Sequence, residues 1–257
     1  MKNGFSGIPV VRKRDFCNGS SASGLLRFTC KNHVSLPREF QKSLKNSRFF
    51  ITGTDTGIGK TYVTTKLLTE FNQAGFTTLG LKPIATGAIM SKEGLLNEDA
   101  RRLQEAASIK IPLNEVNPFV FAPAIAPHLA AKESGASLSA KQIAETMTET
   151  MRRYPADYYL IEGAGGIAVP LNETELMADL ILMLEMPLIL VVGIRLGCLN
   201  HAILSYELIK QLRLPFAGWV ANCLDPACME KDELIETLRK KMGEPCLWRV
   251  PAASCGE

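Results

Sequence analysis

The residues of this chain that could do chemistry begin at Gly53-Thr54-Asp55-Thr56-Gly57-Ile58-Gly59-Lys60-Thr61. A glycine-rich turn ending in Gly-Lys-Thr lets backbone N–H groups fold around an anion. It also sets a lysine against the β- and γ-phosphates of a nucleoside triphosphate and offers a threonine hydroxyl to Mg²⁺. The usual spacing, G-x-x-x-x-G-K-[ST], requires glycine where Thr54 stands; here that glycine comes one residue earlier, at Gly53. The bland alternative is a glycine-rich turn with no ligand, and the flanks argue against it. Arg48-Phe49-Phe50-Ile51-Thr52 reads as a short buried strand, and Val63, Leu67, Leu68 and Phe71 recur at helical spacing after Lys60. Strand, loop and helix in that order are the context a phosphate loop needs, because the helix start adds unpaired N–H groups and a positive dipole end.

Three further residues stand where such a loop could use them. Thr77-Thr78-Leu79-Gly80-Leu81-Lys82 reads as a second parallel strand, and strands of an open parallel sheet deliver their carboxyl ends to one crevice, here carrying Lys82. A solvated lysine at a strand end is the competing reading. Asn97-Glu98-Asp99-Ala100 reads as a capped helix start, where an acidic residue such as Asp99 is favoured by the helix dipole whether or not it meets a metal. Tyr158-Tyr159-Leu160-Ile161-Glu162 reads as a third strand followed at once by Gly163-Ala164-Gly165-Gly166, so that Glu162 occupies the strand tip where phosphate-loop enzymes hold a second Mg²⁺ contact.

The elements that must position these residues follow from periodicity. Residues 88–96 read as loop, the proline-punctuated run from Asn117 to Pro127 as a rigid loop leading into a helix, and 138–153 as a helix with a core stripe of Ile143, Met147 and Met151. His128, just after that loop, is open between a site residue and a satisfied structural histidine. Strands are expected at 188–193, 216–221 and 246–250, with helices near 174–184, 200–213 and 229–242. This alternation predicts an α/β fold, a doubly wound, mostly parallel sheet with helices on both faces, of the P-loop NTPase type.

Composition bounds the rest. At 257 residues and 46% apolar content the chain can bury a full core, and no apolar run reaches the length of a membrane span. Seven cysteines without framework spacing point to reduced thiols in a cytoplasmic protein. The net charge of +3 is uneven: residues 1–48 hold ten Lys/Arg against Asp15 and Glu39, which leaves the remainder near −5. Residues 1–47 therefore read as a basic, flexible extension and 48–257 as the folded domain. The extension fits a targeting segment, an arm for an acidic partner, or sequence upstream of the functional start, and it supports no nucleic-acid or membrane function.

Taken together, residues 48 to about 253 resemble the dethiobiotin synthetase family. The resemblance is carried by Gly53-Thr54-Asp55-Thr56 with Gly59-Lys60-Thr61, Lys82-Pro83-Ile84-Ala85-Thr86-Gly87, Asn97-Glu98-Asp99-Ala100, Pro127-His128-Leu129-Ala130-Ala131, Glu162-Gly163-Ala164-Gly165-Gly166, Leu196-Gly197-Cys198-Leu199-Asn200-His201 and Val220-Ala221-Asn222. The one-residue departure of the loop is that family's own pattern. The resemblance implies an enzyme, a cyclo-ligase of biotin biosynthesis that joins CO₂ to 7,8-diaminononanoate with ATP and Mg²⁺. The route it implies runs through a carbamate and a carbamic-phosphoric anhydride. It implies Lys82 and Lys60 as catalytic lysines and Thr61, Asp99 and Glu162 as holders of Mg²⁺. The nucleotide would be wrapped by Gly57, Ile58, Gly59, Lys60, Thr61, Tyr62, Asp99, Glu162, Gly163, Ala164 and Gly165, and its base held by Asn222, Cys223, Pro251, Ala252 and Ala253. Thr86 would lie beside the carbamate, and Asn200 would receive the substrate carboxylate across a homodimer interface. The family's C-terminal segment continues beyond the point reached by Glu257, which implies a less complete hold on the base.

Two rivals share the loop. A partitioning or assembly-type switch ATPase usually carries a second lysine near the start of the loop and a strand-end Asp, where this chain has Thr54, Asp55 and Glu162. An amidotransferring cobyrinate-type synthase needs a glutaminase domain, for which the chain has no room.

Overall fold

The computed structural model describes residues 47–92, 94–223 and 230–251. Residues 1–46 lie outside the described residues, as do Ala252 and Ala253. In chain order the strands are β1 (Ser47–Gly53), β2 (Thr78–Leu81), β3 (Ile84–Ala85), β4 (Ile89–Ser91), β5 (Gly94–Leu96), β6 (Phe119–Val120), β7 (Tyr158–Gly166), β8 (Leu188–Gly193), β9 (Phe216–Asn222) and β10 (Cys246–Val250). The helices are α1 (Lys60–Gln73), α2 (Glu98–Ala106), α3 (Leu113–Val116), α4 (Pro127–Glu133), α5 (Ala140–Arg153), α6 (Met177–Leu184), α7 (Cys198–Gln211) and α8 (Lys231–Met242).

Six strands form one sheet in the order β10-β9-β8-β1-β7-β2, and each neighbouring pair is parallel. Strand β1 alternates its side chains between two cores. Phe49 and Ile51 pack with Val63, Leu67, Leu68 and Phe71 of α1 on one face. Phe50 packs on the other face into a cluster holding Ile143 and Met147 of α5, Leu180 and Ile181 of α6, Ile209 of α7 and Leu238 of α8. Helices on both faces explain why the strands read as continuous apolar runs: a parallel sheet buried on both sides has no solvent face to alternate with. Full burial of each such side chain contributes roughly 1.5–3 kcal/mol, so the sheet and α1 are held together chiefly by this packing. The rings of Phe71 and Tyr158 stack with centroids 3.9 Å apart and fix α1 over β7.

The topology makes a crevice where it is needed. From β1 the chain crosses over β7 to β2, whereas from β7 it crosses back over β1 to β8 and on to β9. Connections that leave neighbouring strands in opposite directions open a cleft beyond their carboxyl ends, and the loop after β1 sits in it.

Two expectations are corrected. Residues 89–96 are not irregular loop: β4 and β5 pair antiparallel as a short hairpin, Ile89 opposite Leu96. Its three-residue strands are too short to show a period, and Gly94, at φ +112°, serves the turn. The glycine run after Glu162 belongs to the strand. Ile51 pairs with Glu162 and Gly53 with Gly166, so four steps along β7 match two along β1, and the extra backbone bulges beside the loop. A Cβ on Gly163 would come within 2.9 Å of the Phe50 ring, so the strand can continue there only without a side chain.

Candidate active site

The phosphate loop links β1 to α1 across Gly57 and Gly59, whose φ values of +72° and +81° put them in the left-handed region that glycine adopts without strain. Gly59 stands at the N-cap of α1 with no side chain to cap it, so the first turn, beginning Lys60-Thr61-Tyr62, keeps its N–H groups for a ligand. A Cβ on Gly53 would meet Ile58 Cδ1 at 2.9 Å and Lys60 Cδ at 3.0 Å. The displaced glycine lets the Lys60 stem pass close over the backbone where it stands.

Around this loop the structure gathers Lys60, Thr61, Lys82, Asp99 and Glu162. Lys82 directly follows β2, and its Nζ donates to Glu162 Oε1 at 2.6 Å and to the Gly163 carbonyl at 3.2 Å, with Asp99 Oδ2 at 3.7 Å. Thr61 Oγ1 donates to the same Glu162 Oε1 at 2.8 Å. Glu162 is fully buried and Lys82 is 4% exposed, so the competing reading of Lys82 as a solvated strand-end lysine does not describe its place. Lys60 Nζ donates to the Asp55 carbonyl at 2.9 Å. Burial above all, then the neighbouring Lys82 ammonium, lowers the Lys60 pKa to about 8, while Glu162, Asp99 and Asp55 pull it back up. Asn97 caps α2 by accepting from the Ala100 N–H at 3.2 Å, and its amide donates to the Thr86 carbonyl at 3.3 Å, which ties the Thr86 turn to the helix that carries Asp99.

Strands β9 and β10 flank the loop on its other side. Asn222 ends β9 and is buried; its Nδ2 donates to the Ile58 carbonyl at 2.8 Å, which commits that donor to the phosphate loop. Cys223 is also buried and its N–H donates to the Val250 carbonyl at 2.9 Å, which brings exposed Pro251 alongside. Gly163, Ala164 and Gly165 line the bulged end of β7, where Gly165 takes φ +64° close to Thr56. Asn200 is exposed in the first turn of α7, beyond β8, and shares no hydrogen bond or ion pair with the lysine–carboxylate cluster among the described residues. Thr86 is half-buried and joins the cluster only through Asn97. His128 lies in α4 with its Nδ1 buried and unpaired.

Sequence reasoning missed three supports. Asn117, buried before its proline, donates Nδ2 to the Lys82 carbonyl at 2.7 Å, and Lys82 N–H donates to the Val116 carbonyl at 2.9 Å. Asp55 accepts from the Thr56 N–H at 2.7 Å and from Arg195 at 2.9 Å, linking the phosphate loop to the loop before α7. The pairs made by Lys82 with Val116 and Asn117 and by Asp55 with Arg195 have no local signal, since their partners lie far apart in the chain.

The donor set fits Mg²⁺. Oxygens of Thr61, Asp99 and Glu162 are hard ligands, and Glu162 Oε2 is buried without a partner, an acceptor left open toward a cation. No group of three or more His, Cys, Asp or Glu that could hold a metal occurs among the described residues.

Comparison with known proteins gives the chain its relatives. A family model described as an AAA domain matches residues 47–254. The ATP-dependent dethiobiotin synthetase of Pseudomonas aeruginosa (strain UCBPP-PA14) is 48% identical over 203 residues, covering 79% of this chain and 89% of that protein. That of Cellvibrio japonicus is 46% identical over 211 residues, covering 82% and 92%. Among solved structures, a ParA family ATPase from Chlorobium tepidum superposes with a TM-score of 0.51 at 13% identity over 81% of this chain and 86% of that one, a likeness of fold alone. With close to half of its residues shared along nearly the whole length of such relatives, the chain belongs to the ATP-dependent dethiobiotin synthetase family.

Proposed function

We propose that this ATP-dependent ligase closes the ureido ring of 7,8-diaminononanoate with CO₂, using ATP and Mg²⁺ and releasing dethiobiotin, ADP and phosphate. One amine of the substrate takes up CO₂ as a carbamate and loses a proton. A carbamate oxygen then attacks the γ-phosphorus of ATP, and the bond to the β,γ-bridging oxygen breaks to release ADP. The second amine attacks the carbonyl of the resulting anhydride, and phosphate leaves as the ring closes. Every species before closure carries negative charge, so the protein's task is to hold anions together in a dry site.

The observation that carries the reading is the pairing of Lys82 with the buried carboxylate of Glu162, which also accepts from Thr61 of the phosphate loop, beside the buried Lys60. The two ammonium groups would lie against the carbamate and the transferring phosphoryl group. Bound Mg²⁺, held by Thr61, Glu162 and Asp99 directly or through water, would offset phosphate charge. Thr86, fixed by Asn97, would steady the carbamate, and Asn222 with Cys223 and Pro251 would meet the base. Asn200, in the first turn of α7, would receive the substrate carboxylate of a second copy. Leu196, 98% exposed beside it, and Leu204 on the same helix, 62% exposed, are apolar surface that such a dimer would cover. The free thiols of Cys223 and Cys246 support a reducing, cytoplasmic setting. No helix among the described residues is long and apolar enough to cross a membrane.

The test is to incubate the purified protein with 7,8-diaminononanoate, bicarbonate, Mg²⁺ and each of ATP, CTP and GTP, following dethiobiotin and inorganic phosphate together. Diamine-dependent phosphate release matched by dethiobiotin is expected. Phosphate release indifferent to the diamine would replace the ligase reading with that of a switch ATPase.

A further inference from the structure

A carboxylate buried as completely as Glu162 needs a partner, because removal from water costs several kcal/mol that only a close cation or a set of donors restores. In this structure the cation is Lys82. Its ammonium lies between both carboxylates, 2.6 Å from Glu162 and 3.7 Å from Asp99, and Thr61 donates to the same Glu162 oxygen. The root of Lys82 is pinned, since its N–H and carbonyl are held by Val116 and by buried Asn117. Only the four-carbon stem is free to move the charge. The second Glu162 oxygen is left buried without a partner, so the seat matches one ammonium to the buried Glu162 carboxylate but is incomplete in hydrogen bonds.

We infer that Lys82 is the resident cation of the metal site. In the nucleotide-free protein its ammonium occupies the electrostatic place of the divalent ion between Glu162 and Asp99, so bare metal is excluded and enters only with a nucleotide. The polyphosphate supplies the ligands and negative charge that two carboxylates and a hydroxyl lack. Once a dication balances Glu162, the ammonium is repelled from its seat and is released toward the reacting groups. Metal-nucleotide binding thereby arms the lysine. The arming step rests on the ring-closure reading above; the exclusion of bare metal does not.

The test uses Mn²⁺ as a spin probe with the full chain and no nucleotide or substrate, so its failure is separate from failure of the ligase assay. Wild-type protein and Lys82→Arg, which keeps the charge, are expected to bind Mn²⁺ weakly. Lys82→Met is expected to bind it at least about tenfold more tightly, a modest figure beside the repulsion between an ammonium and a dication a few ångströms apart. Adding Glu162→Gln to Lys82→Met should remove the gain. Equal or weaker Mn²⁺ binding by Lys82→Met overturns the inference. Should that variant fail to fold, amine labelling of wild-type protein decides. Lys82 reactivity should rise with Mg²⁺ and ADP together and not with Mg²⁺ alone; a rise with Mg²⁺ alone, or none in either case, overturns it.

Discussion

At the scale of single residues the site is a problem of compensating charge. Lys82 and Glu162 are each almost wholly buried, and neither is tolerable without the other. Lys82→Ala is expected to lower turnover by about 10²–10³-fold, the range for loss of one charge-stabilising donor, while nucleotide binding persists. Steady-state kinetics with a separate ADP titration checks this, and unchanged turnover would remove Lys82 from the mechanism. Lys60 sets a pH dependence. Its pKa is lowered to about 8, so the free protein carries the Lys60 ammonium below that pH and loses it above. A bound anion favours the charged form, so binding above about pH 8 must take up a proton. Affinity for metal-free ADP is therefore expected to fall by up to about tenfold per unit above about pH 8, where the ADP terminal phosphate is already fully ionised. Calorimetry in buffers of different ionisation enthalpy should show proton uptake rising toward one across the same window. Equal affinity on both sides of pH 8 would count against a phosphate-bound Lys60.

At the scale of elements, each functional side chain is aimed by a connection between elements. The Asn97 cap both starts α2 and holds the Thr86 turn. Asn97→Ala is expected to cost about 1 kcal/mol in urea unfolding, the usual loss for a cap, and to raise the KM for the diamine more than that for ATP. A change confined to stability would separate the cap from the substrate turn. The bulge at the end of β7 has a similarly local requirement. At Gly165, φ is +64° and a Cβ would fall 2.7 Å from Val169 Cγ2. Gly165→Ala is expected to destabilise the protein by about 1–3 kcal/mol through backbone strain and overpacking, measured by the same unfolding experiment.

At the scale of the whole molecule, two expectations concern what lies beyond one folded domain. Removing residues 2–46 is expected to leave the melting temperature and activity near those of the full chain; loss of soluble protein would show that the extension is structural. Leu196→Asp is expected to weaken a dimer by at least about tenfold, since charge would enter the buried centre of such an interface, and sedimentation equilibrium checks it. Much of the architecture was legible beforehand because its determinants are local. Apolar runs of strand length, the helical spacing after Lys60 and the glycines of the loop each act on their own few residues, so β1, α1, α5 and the later alternation stand where periodicity put them. The β4–β5 hairpin escaped because three-residue strands show no period, and the continuation of β7 escaped because glycine breaks a strand pattern unless a neighbour's ring, here that of Phe50, demands it. The sequence alone determined which residues carry charge and which strand ends hold them. Only the tertiary structure decided that Lys82 rests on Glu162, that Asn117 pins it and that Arg195 reaches Asp55. Each of these is a pairing between distant segments, and its energy depends on burial and distance that exist only once the sheet has assembled.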